Sequence, residues 1–441
     1  MRNLYLLYLF LIPFYHVFQL EMPFAFISTF IAIFGVIYHM TTSSKVNIHY
    51  FKKWAQLLLF MFIYNLLVAL FSYSSWGVIN GETTLDCIFG TSIWIITIAL
   101  SLYFNYICLS KYVLIDDLVK ILKTQNYFLI SIAFIQLAII YGLGGPFIGI
   151  YDAISSITCI VDSSFLLYVN RGVCLYSAEP SYVSYILFYI VPFALMYELK
   201  KKWKPMTILW IIILALSGSS LVFVSFLVIL CCYILLLTKN KIYNLVYIGS
   251  FFTGLLLALF YTTSEGITTN IQPGTLSYVI WGKALNFEDY STMARESTVI
   301  NDMKIFATYP LTGVGDGIQG MLYNQNIPEW TKNSFEVQDM MAGIKGVING
   351  GGNFFPAYIS GYGIIGILFL NIFIKKYIKD IKMLNRSFFW KNIYAMGIIL
   401  FLITGWQTVP IFNNEFMIFL LSMPYMFINN NNNNKYLVSS C

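Results

Sequence analysis

Charge is scarce in this chain. Only 10% of its 441 residues are Asp, Glu, Lys or Arg, while 59% are hydrophobic and 18% aromatic. A soluble domain carries about 25% charge. Water cannot solvate such a surface, so lipid is the expected solvent. Histidine is scarcer still. His16, His39 and His49 lie near the N-terminus, far from any Cys cluster, and no metal-ligand spacing exists. No Gly-rich loop runs into Lys-Ser/Thr, which excludes a phosphate loop for ATP. No Asp-x-Asp pair is present to hold a metal for nucleotide-sugar binding. The turn Gly313-Val314-Gly315-Asp316-Gly317 follows a helical pattern rather than a strand, so it is no dinucleotide site.

What the chain has in abundance is uncharged sequence. Such stretches run 3–20, 22–44, 54–81, 87–110, 124–151, 180–197, 205–238, 242–264, 346–374, 392–414 and 416–434. About 20 apolar residues cross ~30 Å of hydrocarbon. Nearly every stretch therefore fits one membrane helix. The run after Arg2 is like a signal peptide, but Pro13, His16 and Gln19 follow it instead of a small-residue cleavage site. It reads as a retained first helix.

Lysine and arginine set the orientation. With the N-terminus inside, 20 of the 26 basic residues fall on inner loops. The outer side keeps Arg171, Lys283, Arg295, Lys304, Lys332 and Lys345, together with 16 of the 20 acids. Both termini are then cytoplasmic. Inner loops are short and hold only Asp116, Asp117, Glu198 and Asp380 as acids, which disfavours cytoplasmic nucleotide-sugar chemistry.

Two outer loops, 143–181 and 263–352, are long enough to be functional or disordered. Cys159 and Cys174 share the first; an oxidising compartment would allow them to pair, but spacing alone leaves that open. The other cysteines that fall in apolar stretches read as small apolar residues. Segment 110–123 alternates apolar and charged residues and is expected to lie along the inner membrane surface, as an ordinary amphipathic connector. The second outer loop predicts a helix over 294–309, with Val299, Met303 and Phe306 on its apolar face, ended by Pro310 and followed by the Gly313–Gly317 turn. Stretch 205–238 has inner lysines at both ends, so it must go up and come back, breaking at Ser217-Gly218-Ser219-Ser220. That tip is either a plain two-helix turn or the floor of a cavity. The run Asn429–Asn434 is low-complexity and is assigned no function.

Two outer arginines carry candidate chemistry. Arg171 is the sole cation of its loop and precedes Glu179 by eight residues. Its rigid donor fork matches phosphate or carboxylate, and an ion pair with Asp162 or Glu179 is the structural alternative. Arg295 opens the expected 294–309 helix, where a cation opposes the helix dipole. An anionic ligand would explain that misfit; a solvated Arg balanced by Glu296 is the alternative. Asp302, seven residues on, shares its face.

Arg171-Gly172, then Glu179-Pro180-Ser181-Tyr182 opening a helix, resembles the bacterial O-antigen polymerases (Wzy type) and the related O-antigen ligases. Arg295 followed by Tyr309-Pro310-Leu311-Thr312-Gly313-Val314-Gly315, and Asn353-Phe354 leading to Gly361-Tyr362-Gly363-Ile364-Ile365-Gly366, resemble the same superfamily. Each motif is short; their order is more specific than any one of them. The resemblance implies an all-α polytopic bundle of about 12 membrane helices with two large outer loops, in the bacterial cytoplasmic membrane. It implies glycosyl transfer from undecaprenyl pyrophosphate, joining lipid-linked oligosaccharide repeat units at the outer face, as in lipopolysaccharide biosynthesis. Arg171, Arg295, Ser219, Ser220 and Tyr182 would bind substrate. Glu179 would be the catalytic base, with Asp302 second. Tyr176 and Trp281 are further sugar-stacking candidates. Implied partners are the lipid-linked oligosaccharide, membrane lipid and a chain-length regulator, with no metal, cofactor or nucleic acid. Two departures stand out. The family often has Ser-Arg after the small-residue tip, and Ser219-Ser220 lacks that Arg. Ligases carry a His in the second outer loop, where this chain has none and Asn353 stands at the comparable place; that favours polymerase. A ligase and a lipid-linked oligosaccharide flippase are the alternatives, although a flippase would place charges within its helices.

Overall fold

The computed structural model describes residues 1–14, 27–42, 48–76, 78–79, 82–143, 145–158, 162–169, 173–175, 202–215, 290–342, 354–384 and 415–430, with isolated positions between 183 and 198. Among these the fold is helical, apart from a two-residue antiparallel ladder.

Helix α1 spans Arg2–Leu11, α2 Ile27–Thr42, α3 Phe51–Trp76 and α4 Thr84–Ile107. Between α3 and α4, β1 (Val78–Ile79) pairs with β2 (Glu82–Thr83) in the register Val78↔Thr83. Helix α5 covers Ile115–Ile140, α6 Gly145–Thr158, α7 Ser163–Val169 and α8 Pro205–Ala215. Within the stretch 263–352 come α9 (Tyr290–Thr308), α10 (Tyr323–Asn326) and α11 (Phe335–Met341). Helix α12 runs Phe354–Leu384, followed by α13 (Glu415–Ser422) and α14 (Phe427–Asn430).

Among the described residues four stretches are long and apolar enough to cross a membrane: Phe51–Val68, Cys87–Tyr112, Ile115–Ile140 and Phe354–Asp380. Their outward faces carry Leu59, Leu67, Ile96, Leu368 and Ile372, all substantially exposed. In lipid that exposure costs nothing, so inward packing rests on van der Waals fit and hydrogen bonds. Phe60 of α3 stacks on Phe369 of α12, centroids 4.0 Å apart. Trp54 meets Phe373 edge-on at 4.6 Å and donates its indole N–H to Tyr425 Oη at 2.8 Å. Lys53 pairs with Asp380 at the same end of the two helices. Arg2 Nε likewise donates to Asp117 Oδ2 at 2.8 Å, joining the starts of α1 and α5.

Segment 110–123 departs from expectation. Cys108–Tyr112 forms a π turn that prolongs α4, and Ile115 onward is continuous with α5. It is no separate surface connector. Leu118 and Leu122 are buried against the bundle, and that burial favours an upright helix. Glu415 also departs. The loop-charge reading counts it among the outer acids, yet it is 3% exposed and accepts from Tyr8 Oη at 2.6 Å, Ser101 Oγ at 2.7 Å and Thr29 Oγ1 at 2.8 Å. Three hydroxyls from α1, α4 and α2 satisfy it inside the bundle.

Candidate functional site

Segment 310–315, within the long stretch 263–352, is anchored at a break in α12. Gly363 sits at φ 59°, ψ −160°, outside helical space. The left-handed region costs an L-residue about 1–2 kcal/mol, and an added Cβ would also meet Leu311 O at 2.5 Å. A broken helix leaves N–H and C=O groups unpaired, and lipid tolerates none of these. Segment 310–315 satisfies them. Ile364 N donates to Pro310 O at 2.8 Å and Ile365 N to Leu311 O at 3.3 Å. Val314 N donates to Ser360 O at 3.0 Å and Gly315 N to Gly361 O at 2.9 Å. Gly313, at φ 64°, has no room for a Cβ against the Ser360 and Gly361 backbone. The two glycine motifs thus form one joint.

Side chains from α3 and α4 hold the joint from the other side. Asp316 N donates to Asn65 Oδ1 at 3.1 Å, Tyr64 Oη to Thr312 O at 2.7 Å, and Thr91 Oγ1 to Asp316 O at 3.2 Å. Gln319 accepts from Gly317 N at 2.7 Å and donates to Ala357 O at 2.9 Å. Asn65 lies 12 residues beyond Lys53, roughly 18 Å along α3 at 1.5 Å per residue.

Against this joint packs α9, and its faces reverse the expectation. The buried stripe is Ala294, Ser297, Thr298, Asn301, Asp302 and Ile305, while Met303 is 41% exposed. Polar residues turn inward because the loop supplies partners. Ser297 bonds Tyr323 Oη. Asn301 Nδ2 donates to Gln319 O at 3.1 Å, and Asn326 Nδ2 donates to Asn301 Oδ1 at 3.0 Å. Ser360 Oγ lies 3.2 Å from Asp302 Oδ1, while Asp302 Oδ2 is buried without a hydrogen-bond partner.

Two carboxylates therefore share the joint. Burial pushes the Asp302 carboxyl well above the usual carboxylate value; the Ser360 hydrogen bond opposes this and the Asp316 charge adds to it. Burial pushes Asp316 up to about 6, against hydrogen bonds from Tyr362, Gln319 and the Gly317 backbone. Tyr362 Oη lies 3.4 Å from Asp316 Oδ2. A carboxylate titrating near neutrality has the property a general base needs.

Arg295 needs a correction. Helix α9 starts at Tyr290, so Arg295 stands beyond its first turn, where the dipole effect has faded. The dipole misfit no longer argues for an anion there. Arg295 is partly exposed, whereas Asp302 is fully buried. Seven residues separate them by roughly 10 Å of helix rise.

Arg171, Glu179 and Tyr182 lie outside the described residues, as do Ser219, Ser220, Tyr176, Trp281, Asn353 and Cys159. The described residues 173–175 are clamped by Gln136 of α5, which accepts from Cys174 N at 3.0 Å. Asp316, Ser360, Tyr362, Gln319 and Asn65 did not emerge as site residues from sequence. The one signal was an acid inside a glycine turn. Among the described residues no group of His, Cys, Asp and Glu has the makings of a metal site. Compared with protein-family models, curated proteins and solved structures, the chain matches none.

Proposed function

We propose that the protein polymerises undecaprenyl-pyrophosphate-linked oligosaccharide repeat units at the outer face of the bacterial cytoplasmic membrane. The observation carrying this reading is the meeting of separate motif stretches. The helix bearing Arg295, the Tyr309–Gly315 run and the Gly361–Gly366 run pack into one joint around two carboxylates. Membrane-length helices beneath it suit a lipid-borne substrate.

In the proposed reaction the acceptor sugar hydroxyl attacks the anomeric carbon of the growing chain, whose bond to the lipid pyrophosphate breaks. Arg171 and Arg295 are assigned to the pyrophosphate, where charge develops. A carboxylate takes the hydroxyl proton: Glu179 first, and second the pair Asp302 and Asp316, through whichever of the two is ionised. Ser219, Ser220 and Tyr182 are assigned to substrate contact. The remaining expectations, about 12 membrane helices and cytoplasmic termini, belong to the same proposal. The absence of His from the second outer loop favours polymerase over ligase.

Replacing Arg171 or Arg295 with Ala, at matched membrane levels, tests the assignment. Surface polysaccharide should collapse to single repeats on a gel. Unchanged long chains from both variants would sink it. Full-length polymer left on undecaprenyl pyrophosphate would indicate a ligase, and inward-facing lipid-linked units a flippase.

A further inference from the structure

Asp302 is short of donors. Its side chain is 0% exposed, and Oδ2 has no partner. Oδ1 faces Ser360 Oγ at 3.2 Å, but that hydroxyl also lies 3.0 Å from Ala357 O. A hydroxyl carries one hydrogen and cannot serve both acceptors. It serves Ala357 O or Asp302 Oδ1, and in either case Oδ2 is left without a donor. An ionised Asp302 would be a buried anion with one shared donor at most, a costly state. Neither Asp302 nor Asp316 has a Lys or Arg partner among the described residues.

Other ionisable groups do not relieve it. Helix α12 brings Tyr358 and Tyr362 toward Asp316, and α3 brings Tyr64 to the same turn. On α9 itself Arg295 and Glu296 are partly exposed, and exposed Lys304 donates to Asn326 O at 2.6 Å. Glu336 and Asp339 of α11 are more acid. Tyr323 of α10 is held by Ser297, and Glu329 is paired with Lys332 at 2.5 Å. The cations here, Arg295, Lys304 and Lys332, form no ion pair with Asp302 or Asp316.

A proton resolves the geometry. Protonated on Oδ1, Asp302 donates to Ser360 Oγ, whose own hydrogen goes to Ala357 O. Every hydrogen in that row then has one acceptor. We infer that Asp302 is a proton-binding site, occupied at neutral pH, with Asp316 the second carboxyl of the joint. Such a store lies at the joint between loop and bundle, and it stands whether or not glycosyl transfer proves to be the reaction.

The test is infrared spectroscopy of the full-length protein in lipid nanodiscs. At pH 7 the wild type should show a protonated-carboxyl carbonyl band that Asp302→Asn lacks. That amide keeps the shape of the neutral acid, so the variant should unfold at the wild-type temperature. Lowering the pH from 8 to 5 should add a second band, with a midpoint at about 6, absent from Asp316→Asn. If Asp302→Asn does not fold, Ser360→Ala serves instead: loss of the acceptor should move the pH 7 band to the frequency of a free acid. An identical band in wild type and Asp302→Asn, or one unmoved by Ser360→Ala, overturns the inference.

Discussion

Gln136 grips Leu175 from both sides: its Oε1 accepts from Leu175 N at 2.8 Å, and its Nε2 donates to Leu175 O at 3.0 Å. Leu175 has φ 51°, a conformation only glycine adopts freely. The buried amide holds it there and fixes the chain three residues past Arg171-Gly172.

The first prediction concerns this clamp. Gln136→Leu leaves the amides of Cys174 and Leu175 without their acceptor. Two buried donors without partners cost on the order of 3 kcal/mol together. Thermal unfolding in detergent should register the loss, and amide exchange at residues 173–175 should speed up. Unaltered exchange would show that the clamp is dispensable.

A second prediction concerns the break in α12. Gly363→Ala forces an L-residue to φ 59° beside the Leu311 carbonyl. The backbone conformation alone costs about 1–3 kcal/mol, and the clash adds to it. Gly149→Ala is the control: nothing lies within 4 Å of its Cβ, and alanine favours the helix by up to ~1 kcal/mol. The melting temperature should fall for the first and hold or rise for the second. Equal values would refute the joint.

Third, Lys53→Met strands Asp380, whose side chain is 4% exposed. Removing one partner of a buried pair costs about 3–5 kcal/mol, and about 3 is expected here because Lys53 itself keeps 22% exposure. The double variant with Asp380→Asn should recover most of the loss. A double variant no more stable than Lys53→Met would show that the pair contributes little.

Fourth, the joint is proton-linked. Asp316 titrates at about 6 when docked, above the ordinary 3.8. The docked state therefore binds more protons than the undocked one, and docking weakens as pH rises. Its stabilisation is full below about 4 and lost as pH passes through about 6. Hydrogen exchange of residues 309–322, normalised to the intrinsic rate at each pH, should show protection falling across that window. Asp316→Asn should flatten the curve; a curve unchanged in the variant would place the titrating group elsewhere.

Much of the fold was legible because hydropathy and charge are coarse, additive signals. The long spans of α3, α4 and α12 follow from uncharged length, and the end of α9 follows from Pro310. The buried face of α9 was not legible. Periodicity tracks apolar residues, and Val299 and Met303 form a plausible stripe; Asn301 and Asp302 turn inward only because Gln319 and Ser360 await them. The break at Gly363 hides in a uniformly apolar stretch, where one glycine among many carries no distinguishing mark. Glu415 was misplaced because a lone acid between two apolar runs reads as a loop residue, and its three hydroxyl donors come from helices hundreds of residues away. In the candidate site, the Gly313–Gly317 turn was visible, but its docking partner and the role of Asp316 were not.

The most direct test of the proposed function is reconstitution. Purified protein in nanodiscs is given undecaprenyl-pyrophosphate-linked oligosaccharide units as its only substrate. Lipid-linked products of two or more repeats should appear, with one undecaprenyl pyrophosphate released per bond formed, and Arg295→Ala should slow this on the order of 100-fold. Folded wild-type protein that binds the substrate yet forms no lengthened product, from the units of the organism that encodes it, would contradict the proposal.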